Sequence, residues 1–528
     1  MIPPRLLTDG LLRSARRHPE KVAVRDESST WTYADLLAGA ERVAAALLDG
    51  GLPRGGRVII YLDNSGVCAA AIYGVMLAGG TFVTVNPQTK SAKLRFILED
   101  ADAFAVVTDK HLAVQYDAAV EGLPCLRMVL SHGAPGDEAA SPRRLDLAAV
   151  LANGRRLDKP VPVVGCDLAA LIYTSGSTGQ PKGVMQTHQS MVFAAWSIIE
   201  YLEIVPEDRI LLVLPMAFDY GLYQLLMAVF TGATLVVERS FAFPGRVYAV
   251  MAEQQVTVFP GVPTIYATMQ ASHLKAPMAF PSVRAVTNTA AALLPHLLPT
   301  LAEVFPNARV FKMYGLTECK RVAYLPPHLL DSHPRSVGIA IPGTEVSLHA
   351  PDGTPVAPGQ PGILHVRGPH VMVGYWKRPD QTAHMLREGR VPGERVLVTH
   401  DWFTQDADGL LQFVGRSDDI IKSRGEKVSP VEVETLLCRM DGVAQAAVVG
   451  VPDAALGERI RAFVVLDDVD AAAGVNANTV KRFCAMHLEN FMVPQEVVVL
   501  PEFPRTENGK VDRKLLAQED GPYAPGIA

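Results

Sequence analysis

The sequence has few cysteines, and none of them forms a recognisable metal-binding or disulfide pattern. Six cysteines are scattered over 528 residues, with no CxxC pair and no Cys/His cluster at metal-ligand spacing. The first twenty residues also contain no apolar core of the length that a signal peptide needs. Free thiols suit a reducing compartment, so we expect a cytoplasmic protein.

A strong charge of one sign is also absent. The chain carries 49 basic and 55 acidic residues, a net charge of −6, which disfavours binding to nucleic acid or to an anionic membrane surface. Residues 67–85 are uncharged and approach the length of a membrane span. However, Gly79-Gly80 divides this stretch, and the following "TFVTV" is β-branched and aromatic. The pattern therefore predicts a buried helix, a turn and a strand, and no integral membrane association.

Length and periodicity point to several subdomains of α/β type. A chain of 528 residues is too long for one core. Through the first 340 residues or so, helical patterns such as residues 33–51 alternate with apolar strand-like runs, which favours parallel sheets covered on both faces. The strand-like runs include residues 57–62, 103–108, 210–215, 233–238 and 256–261.

The later part of the chain changes character twice. From about Gly338 to Val414 the sequence is punctuated by glycine and proline and contains short strand patterns, which predicts a small antiparallel unit. After Arg416, a capped helical pattern and two longer strand patterns follow, which is typical of an α+β unit.

One glycine-rich stretch, "YTSGSTGQPKG" at residues 173–183, has the composition of a phosphate-binding loop. Its glycines let backbone N–H groups turn toward an anion, its hydroxyls add donors, and Lys182 adds a positive charge. It is not a Walker A loop, because Lys182 lies between Pro181 and Gly183 instead of opening a helix. The loop directly follows the apolar run 169–173, a strand context that favours phosphate binding over a flexible linker, although both interpretations remain open.

Four further stretches follow in a fixed order: "MYGLTE" (313–318), "GILHVRGPHVMVGYW" (362–376), a long segment that begins "HDWF" and includes "VGRSDD" and "KSRGEKVSP" (400–434), and "PRTENGKVDRK" (504–514). Together with the glycine-rich loop they resemble the motifs of the adenylate-forming superfamily. That group contains acyl-CoA synthetases, the adenylation domains of nonribosomal peptide synthetases, and luciferases. The resemblance covers nearly the whole chain.

The resemblance implies an α/β fold in two domains. Residues 1–416 would form a large N-terminal domain, with two parallel-type α/β sheets and a small β-barrel-like unit, that binds ATP and the acid. Residues 417–528 would form a small mobile α+β C-terminal domain that carries the catalytic lysine.

The resemblance also implies a two-step reaction that uses ATP and Mg²⁺. A carboxylic acid attacks the α-phosphorus of ATP, giving an acyl-adenylate and pyrophosphate. The thiol of coenzyme A, or of the phosphopantetheine arm of a carrier protein, then displaces AMP. Two alternatives are an enzyme that stops at the adenylate or passes it to an amine or to oxygen, and a non-catalytic binding protein. The joint presence of Lys182, Glu318, Asp401 and Lys510 argues against the binding protein.

The resemblance assigns the ATP contacts residue by residue. Thr317 would bond the α-phosphate, Glu318 would hold Mg²⁺, for which a carboxylate is a suitable ligand, and Tyr314 would stack on adenine. The β- and γ-phosphates would be wrapped by the loop that contains Lys182 together with Thr174, Ser175, Gly176, Ser177, Thr178 and Gly179.

A second set of residues corresponds to the ribose contacts of the family. Asp401 would accept hydrogen bonds from both ribose hydroxyls, and Arg416 would be a second contact on that side. His400 stands where the family usually has glycine, which puts the local backbone in question but not the acid.

In the C-terminal part, three residues match family positions with a role in the two steps. Asp418 would be the hinge between the domains, and Lys510 would bridge the substrate carboxylate and the α-phosphate. Gly425 would line the pantetheine tunnel, where only a small residue leaves room for the thiol arm.

The resemblance places six residues near the substrate acid: Phe218, Asp219, Val262, Thr289, Ala290 and Tyr324. Many relatives have Gly-Gly where this chain has Thr289-Ala290, so the added side chains would shorten the pocket. An ordinary apolar core would show a similar set of residues, and this alternative remains open.

The pair Phe218-Asp219 bears on the class of substrate. Many acyl-CoA synthetases have an aromatic residue followed by histidine here, whereas amino-acid-activating relatives have Phe-Asp, with the Asp paired to the substrate ammonium. Alternatively, Asp219 caps the N-terminus of the helix predicted from "DYGLYQLLMAVF". We therefore expect an acid that bears an amino group and is loaded on a carrier protein. The alternative is a plain aliphatic or aromatic acid joined to coenzyme A.

Overall fold

The computed structural model describes residues 4–134, 136–137, 139–174, 180–291, 293, 295–416, 420–466, 475–504 and 511–518. It confirms the predicted α/β class: two large, mainly parallel sheets share a layer of helices, and two smaller sheets follow. No helix within the described ranges combines the length and the apolar composition needed to cross a bilayer.

The first large sheet is parallel at its centre and antiparallel at both edges. Its strands are, from edge to edge, Ile339–Ala340, Ala323–Leu325, Arg309–Tyr314, Ala285–Asn288, Val258–Gly261, Arg209–Leu212, Thr234–Val237, Val22–Arg25 and Thr30–Thr32. The predicted strands at residues 210–215, 233–238 and 256–261 are all found here, and they are almost entirely buried.

The second large sheet has the same character, with parallel strands and one antiparallel edge. Its strands are, from edge to edge, Gly374–Tyr375, Lys182–Thr187, Leu168–Thr174, Thr81–Thr84, Arg57–Tyr61, Ala103–Asp109, Met128–His132 and Arg143–Asp146. The uncharged stretch 67–85 forms the helix Gly66–Leu77, a turn with Gly79 at φ +72°, and the strand Thr81–Thr84, as predicted.

A continuous core fills the space between these sheets. Leu7, Leu47 and Ile72 on helices pack together with Ile60 of one sheet and Leu211 of the other. Ser65 caps the buried helix Gly66–Leu77 by accepting a hydrogen bond from the N–H of Cys68. This helix is buried on nearly every side, which explains why its sequence is apolar throughout.

The helices of the large N-terminal part are Leu7–Arg17, Tyr33–Asp49, Gly66–Leu77, Ser91–Asp100, Ala113–Val120, Leu147–Asn153, His188–Leu202, Asp219–Thr231, Pro244–Glu253, Pro263–Lys275, Leu298–Val304 and Pro379–Met385, with short 3₁₀ turns at Lys110–Leu112, Pro295–Leu297 and Pro327–Leu329.

The third sheet is the predicted small antiparallel unit. It contains Glu345–His349, Gly362–Arg367, Arg395–Gln405, Leu386–Glu388 and Leu411–Arg416. The long strand Arg395–Gln405 pairs with three neighbours, so it fixes the position of Asp401 near its end.

The fourth sheet lies after residue 419 and has helices on both sides. Its strands are Glu426–Val428, Ile421–Ser423, Gly457–Leu466, Val443–Asp453 and Glu496–Leu500, and its helices are Pro430–Leu437, Ala477–His487 and Arg513–Leu516, with a 3₁₀ turn at Asn490–Met492. Separate cores cover its two faces. We refer to residues 420–518 as the C-terminal part. The proposed domain boundary at 416/417 adjoins residues 417–419, which lie outside the described ranges, and it stays a prediction.

Candidate functional site

Two cavities adjoin at the C-terminal ends of the parallel strands. The larger encloses about 660 Å³ and is lined by Tyr314 together with residues of the C-terminal part. The smaller encloses about 170 Å³ and is lined by Phe218 and Asp219. We call them the nucleotide cavity and the acid cavity, after the ligands that the sequence predicts. Their linings share Thr289, Ala290, Gly315 and Lys422, so ligands in the two cavities would meet at this boundary.

Tyr314 and Asp401 form the polar pair beside the nucleotide cavity. The Tyr314 hydroxyl donates to Oδ2 of Asp401 at 2.5 Å, and Asp401 is fully buried. The Tyr314 ring packs edge-on against Phe403, with the ring centroids 4.8 Å apart. The backbone of Arg416 pairs with Asp401 across the sheet. The structure thus places the side chains of Tyr314 and Asp401 and the backbone of Arg416, which the resemblance assigns to the adenosine end of ATP, next to one another.

His400 takes the backbone conformation that its place in the motif requires. Its φ is +59°, in the left-handed region that favours glycine. Its ring stacks on His384, with the centroids 4.6 Å apart and the planes at 11°. The substitution of histidine for glycine therefore leaves the turn intact and keeps Asp401 in its buried position.

Glu318 is a buried carboxylate that faces the C-terminal part. Its Oε1 accepts a hydrogen bond from the Tyr375 hydroxyl at 2.7 Å, and its Oε2 lies 3.6 Å from Nζ of Lys427. Lys182 lies over the Tyr375 ring, 4.7 Å from its centroid. Burial alone would raise the pKa of Glu318, but Lys427 and Tyr375 outweigh it and lower the pKa below its ordinary value, which keeps the carboxylate ionised.

The acid cavity brings together most of the residues predicted to contact the substrate. Phe218, Asp219, Val262, Thr289 and Ala290 line it, and so do Thr174, Thr317 and Gly425. Tyr324 is the exception: it stacks on Tyr201 with the ring centroids 4.1 Å apart and is not part of the lining. Tyr324 therefore supports the core behind the cavity.

Asp219 is the first residue of the helix Asp219–Thr231, and Phe218 is its N-cap. Oδ1 of Asp219 is buried and accepts no hydrogen bond from the described residues. The alternative role as a helix cap is therefore not what the geometry shows. Burial raises the pKa of Asp219, while the positive charge of Lys320 opposes that rise. An additional cation in the cavity would stabilise the ionised carboxylate.

Sequence reasoning missed Lys320 and Arg321, which both line the acid cavity. They are only 4% and 5% exposed. The sequence contained a signal, since two basic residues follow the "YGLTE" motif after Cys319 and precede the apolar residues 322–325. Lys427 was missed as well, although it lies inside the quoted motif "SRGEKVSP".

The C-terminal part docks onto the acid cavity through ionic and aromatic contacts. Lys93 lies 2.9 Å from Glu432 and 3.2 Å from Glu489, and Thr89 donates a hydrogen bond to Glu489 at 3.1 Å. Phe491 packs edge-on against Phe218, with the centroids 6.4 Å apart.

Gly425 belongs to the same docked surface. Its φ is +83°, and a Cβ at this position would lie 3.1 Å from Cγ1 of Val262 and 3.5 Å from Cβ of Ala290. The loop of Gly425 thus sits against the wall of the acid cavity in this arrangement.

Several predicted residues lie outside the described ranges: Ser175, Gly176, Ser177, Thr178, Gly179, Asp418 and Lys510. The glycine-rich loop leaves the sheet at Thr174 and returns at Lys182, and these two residues are cross-strand partners. Both ends of the loop are therefore fixed beside Tyr375 and Glu318.

Parallel α/β sheets with a cavity at their carboxyl ends, and a separate α+β part docked over it, are typical of nucleotide-binding enzymes. The profile of the AMP-binding enzyme family matches residues 11–376, and that of the AMP-binding enzyme C-terminal domain matches residues 432–510. The chain belongs to this family and is an AMP-forming ligase of the adenylate-forming superfamily. Use of ATP follows from this membership.

Three similar proteins illustrate the range of the family. The long-chain-fatty-acid–CoA ligase of Salmonella typhimurium is 29% identical, with 96% of this chain and 93% of the relative covered. The structure of the amide bond synthetase McbA from Marinactinospora thermotolerans has a TM-score of 0.86 at 27% identity, covering 97% of this chain and 99% of that one. The structure of VinN with L-aspartate has a TM-score of 0.68 at 35% identity, covering 78% and 99%.

The donor set fits a magnesium ion that is held mainly by the nucleotide. Glu318 supplies one ionised carboxylate, while the described residues contain no group of three or more His, Cys, Asp or Glu side chains arranged for a metal. Mg²⁺ commonly uses one or two carboxylates together with substrate phosphates and water, so Glu318 would suffice on the protein side.

The position of Gly425 predicts that a larger side chain blocks the thiol step. We expect Gly425→Leu to slow thioester formation by on the order of 10²-fold, because the added atoms meet Val262 and Ala290. Pyrophosphate release in the first step should change by less than about threefold. Gly393→Leu is the matched control, since Gly393 has the same φ of +83° but open space around it. Thioester formation at the wild-type rate in Gly425→Leu would contradict the assignment of Gly425 to the pantetheine tunnel.

Glu426 predicts a pH dependence of the docked arrangement. Burial, assisted by Glu489, raises the pKa of Glu426 from 4.5 to about 8. If undocking exposes Glu426, its pKa returns to the ordinary value, and docking then takes up a proton between pH 4.5 and 8. The docked arrangement therefore becomes less stable as pH rises through this range and changes little above about pH 8. The measurement is the ratio of two rates of the thiol step, that of the wild type divided by that of Glu426→Gln. We expect this ratio to fall between pH 6 and 8 by up to about tenfold per pH unit.

Taking the ratio of the two rates cancels ionisation of the thiol acceptor. Glu502→Gln, at an exposed glutamate of the same C-terminal part, is the control and should follow the wild type at every pH. A wild-type-to-Glu426→Gln ratio that stays constant with pH would contradict a protonated Glu426 at the docked surface.

Proposed function

We propose that this enzyme activates a short, amino-bearing carboxylic acid as its acyl-adenylate and transfers the acyl group to a pantetheine thiol. The observation that carries the amino-acid assignment is Oδ1 of Asp219, which is buried at the acid cavity and has no hydrogen-bond donor among the described residues. A substrate ammonium would supply the missing donor and an opposite charge.

Two further observations support this assignment. The acid cavity of about 170 Å³ is small compared with the roughly 300–1,000 Å³ of pockets for drug-sized ligands, which favours a short acid over a long alkyl chain. VinN, which resembles this chain, has a solved structure with L-aspartate, an amino acid.

In the first step, the acid carboxylate attacks the α-phosphorus of ATP and pyrophosphate leaves. Thr317 and Lys510 would hold the α-phosphate and the attacking carboxylate, and the loop at residues 174–182 would hold the leaving phosphates. A magnesium ion on Glu318 would neutralise charge on the phosphates. Fixed donors of this kind are effective because charge accumulates on oxygen in a site from which water is largely excluded.

In the second step, a thiol attacks the acyl carbonyl carbon and AMP leaves with the C–O bond electrons. Gly425 lies against the acid cavity in the present arrangement. The arrangement therefore suits thiol transfer, and the first step would need the C-terminal part to rotate so that Lys510 enters the site. Asp418 would be the hinge. Whether coenzyme A or a carrier protein presents the thiol is decided by AMP release from the preformed adenylate with each acceptor.

The second candidate is an acyl-CoA synthetase for a plain aliphatic or aromatic acid. Its support is the similarity to the long-chain-fatty-acid–CoA ligase over almost the full length of both chains. In this case Asp219 would be balanced by Lys320, Lys427 and Arg321 of the protein, and an added amino group would weaken binding.

Substitution of Asp219 separates the two candidates. We expect the wild type to release pyrophosphate faster with L-alanine or β-alanine than with propionate, and with L-aspartate than with succinate. In Asp219→Asn, kcat/KM for the preferred amino acid should fall on the order of 10²-fold, because the ammonium loses its partner. Asp117→Asn, at a largely exposed surface ion pair with Arg144, should leave both rates unchanged. Faster reaction of wild type with the des-amino acids would refute the amino-acid assignment.

Lys510 is expected to act in the first step only. Lys510→Ala should lower adenylate formation by about 10²–10³-fold, because one charged donor is lost from a preorganised site. Transfer of the acyl group from a supplied acyl-adenylate to the thiol should remain near the wild-type rate. Lys159→Ala, at an exposed lysine, is the control. Equal losses in both half-reactions would contradict this division of roles.

A further inference from the structure

The acid cavity contains more buried positive charge than the assignment of Asp219 accounts for. Lys320 and Arg321 both line it, together with Asp219. The lining also contains Lys93, which pairs with Glu489, and Lys422, Glu426 and Lys427 from the C-terminal part. An amino acid with a single carboxylate would neutralise Asp219 through its ammonium and leave both Lys320 and Arg321 without a ligand partner.

Lys320 has protein partners. Its Nζ donates to Oγ of Ser190 at 3.1 Å and to the backbone carbonyl of His370 at 2.7 Å. Burial lowers the pKa of Lys320, and the negative charge of Asp219 opposes that shift. Lys320 is therefore held in place by the protein and needs no ligand to satisfy its hydrogen bonds.

Arg321 is in a different situation. Its Nη1 donates to Oγ1 of Thr289 at 2.5 Å, and its guanidinium carbon lies 5.4 Å from the centroid of the Tyr220 ring. Its Nε is buried without an acceptor, and no carboxylate of the described residues comes within 4.0 Å of the guanidinium. Asp219 interacts with this charge electrostatically but forms no direct ion pair with it. A guanidinium that is 95% buried and has no directly paired carboxylate among the described residues is costly, and its forked donors match a carboxylate.

We infer that Arg321 binds a second carboxylate of the substrate, so that the enzyme activates a short amino dicarboxylic acid. The inference rests on the proposed activation of an amino acid and adds the identity of its side group. Asp219 takes the ammonium, Arg321 takes the carboxylate that does not react, and the remaining carboxylate points toward Thr317 at the boundary with the nucleotide cavity. The acid cavity thus selects its substrate by the positions of three charged groups, one ammonium and two carboxylates.

The small size of the cavity limits the length of this acid. L-Aspartate and L-glutamate are therefore the probes, and the two monoamides of aspartate, asparagine and isoasparagine, are the matched analogues. Each monoamide keeps the ammonium and replaces one carboxylate by a neutral group of the same shape. The monoamide that keeps the reacting carboxylate tests Arg321, and the other monoamide, which lacks the reacting carboxylate, is the control for the position of the reaction.

The experiment measures pyrophosphate release and the shift in melting temperature with each probe. We expect wild type to prefer aspartate or glutamate to the monoamide that keeps the reacting carboxylate by on the order of 10²-fold in kcat/KM, because this amide leaves the buried guanidinium unpaired. In Arg321→Met the dicarboxylic acid should fall to the level of this monoamide, and in Arg321→Lys an intermediate preference should remain.

Two controls separate recognition from a structural role of Arg321. Arg309→Met removes another arginine that lies over an aromatic ring, at 5.6 Å from Phe311 and away from the cavity, and should leave the preference unchanged. If Arg321→Met lowers the rate with the reactive monoamide as much as the rate with aspartate, the arginine only supports Thr289 and Tyr220, and the inference is wrong.

The outcomes also distinguish this inference from the proposed function. If the reactive monoamide and alanine are used as well as aspartate and glutamate, while Asp219→Asn still abolishes the preference for amino acids, the second carboxylate is refuted and the amino-acid assignment stands. If succinate is preferred to aspartate, Arg321 keeps its role and the amino-acid assignment fails. If neither aspartate nor glutamate releases pyrophosphate or raises the melting temperature, the inference is overturned.

Discussion

The buried carboxylate of Glu318 is the contact on which the arrangement of the site depends. It follows a strand of the first large sheet, bonds Tyr375 from the edge of the second, and faces Lys427 from the C-terminal part. Lys182 lies near the same carboxylate, because its ammonium group contacts the ring of Tyr375. An ionised group can remain buried only with such partners, so one carboxylate fixes the relative position of three separate pieces of chain. This is the point at which we expect the phosphate end of the nucleotide.

Much of the fold was predictable because burial constrains the composition of its elements. Strands such as Arg57–Tyr61 and Thr234–Val237 lie inside parallel sheets, and their sequences are nearly continuous apolar runs. The helix Gly66–Leu77 was predictable from an interruption of its apolar run. The run is nearly long enough to suggest a membrane span, but glycines directly after the helix end it. Local sequence patterns were sufficient to predict an element wherever the spacing of its apolar residues reflected its burial.

The candidate site was predictable only where a motif carried it. Glu318, Asp401 and Tyr314 stand in recognisable stretches, and they meet as the resemblance implied. Lys320 and Arg321 were not predicted, because two basic residues in a row usually indicate a solvated turn, and only the packing of Tyr220 and Ser190 around them shows that they are buried. Tyr324 illustrates the reverse case: an aromatic residue near the motif in sequence faces Tyr201 instead of the cavity.

The wall between the two cavities has a consequence for how such an enzyme diversifies. Thr289 and Ala290 line both cavities, and Ala290 holds a left-handed backbone conformation at φ +71°. We therefore expect a substitution at either residue to change the shape of both cavities at once. Phe218, Asp219 and Arg321 line the acid cavity alone. We therefore expect new substrate ranges to arise most readily at those three positions, which do not line the nucleotide cavity.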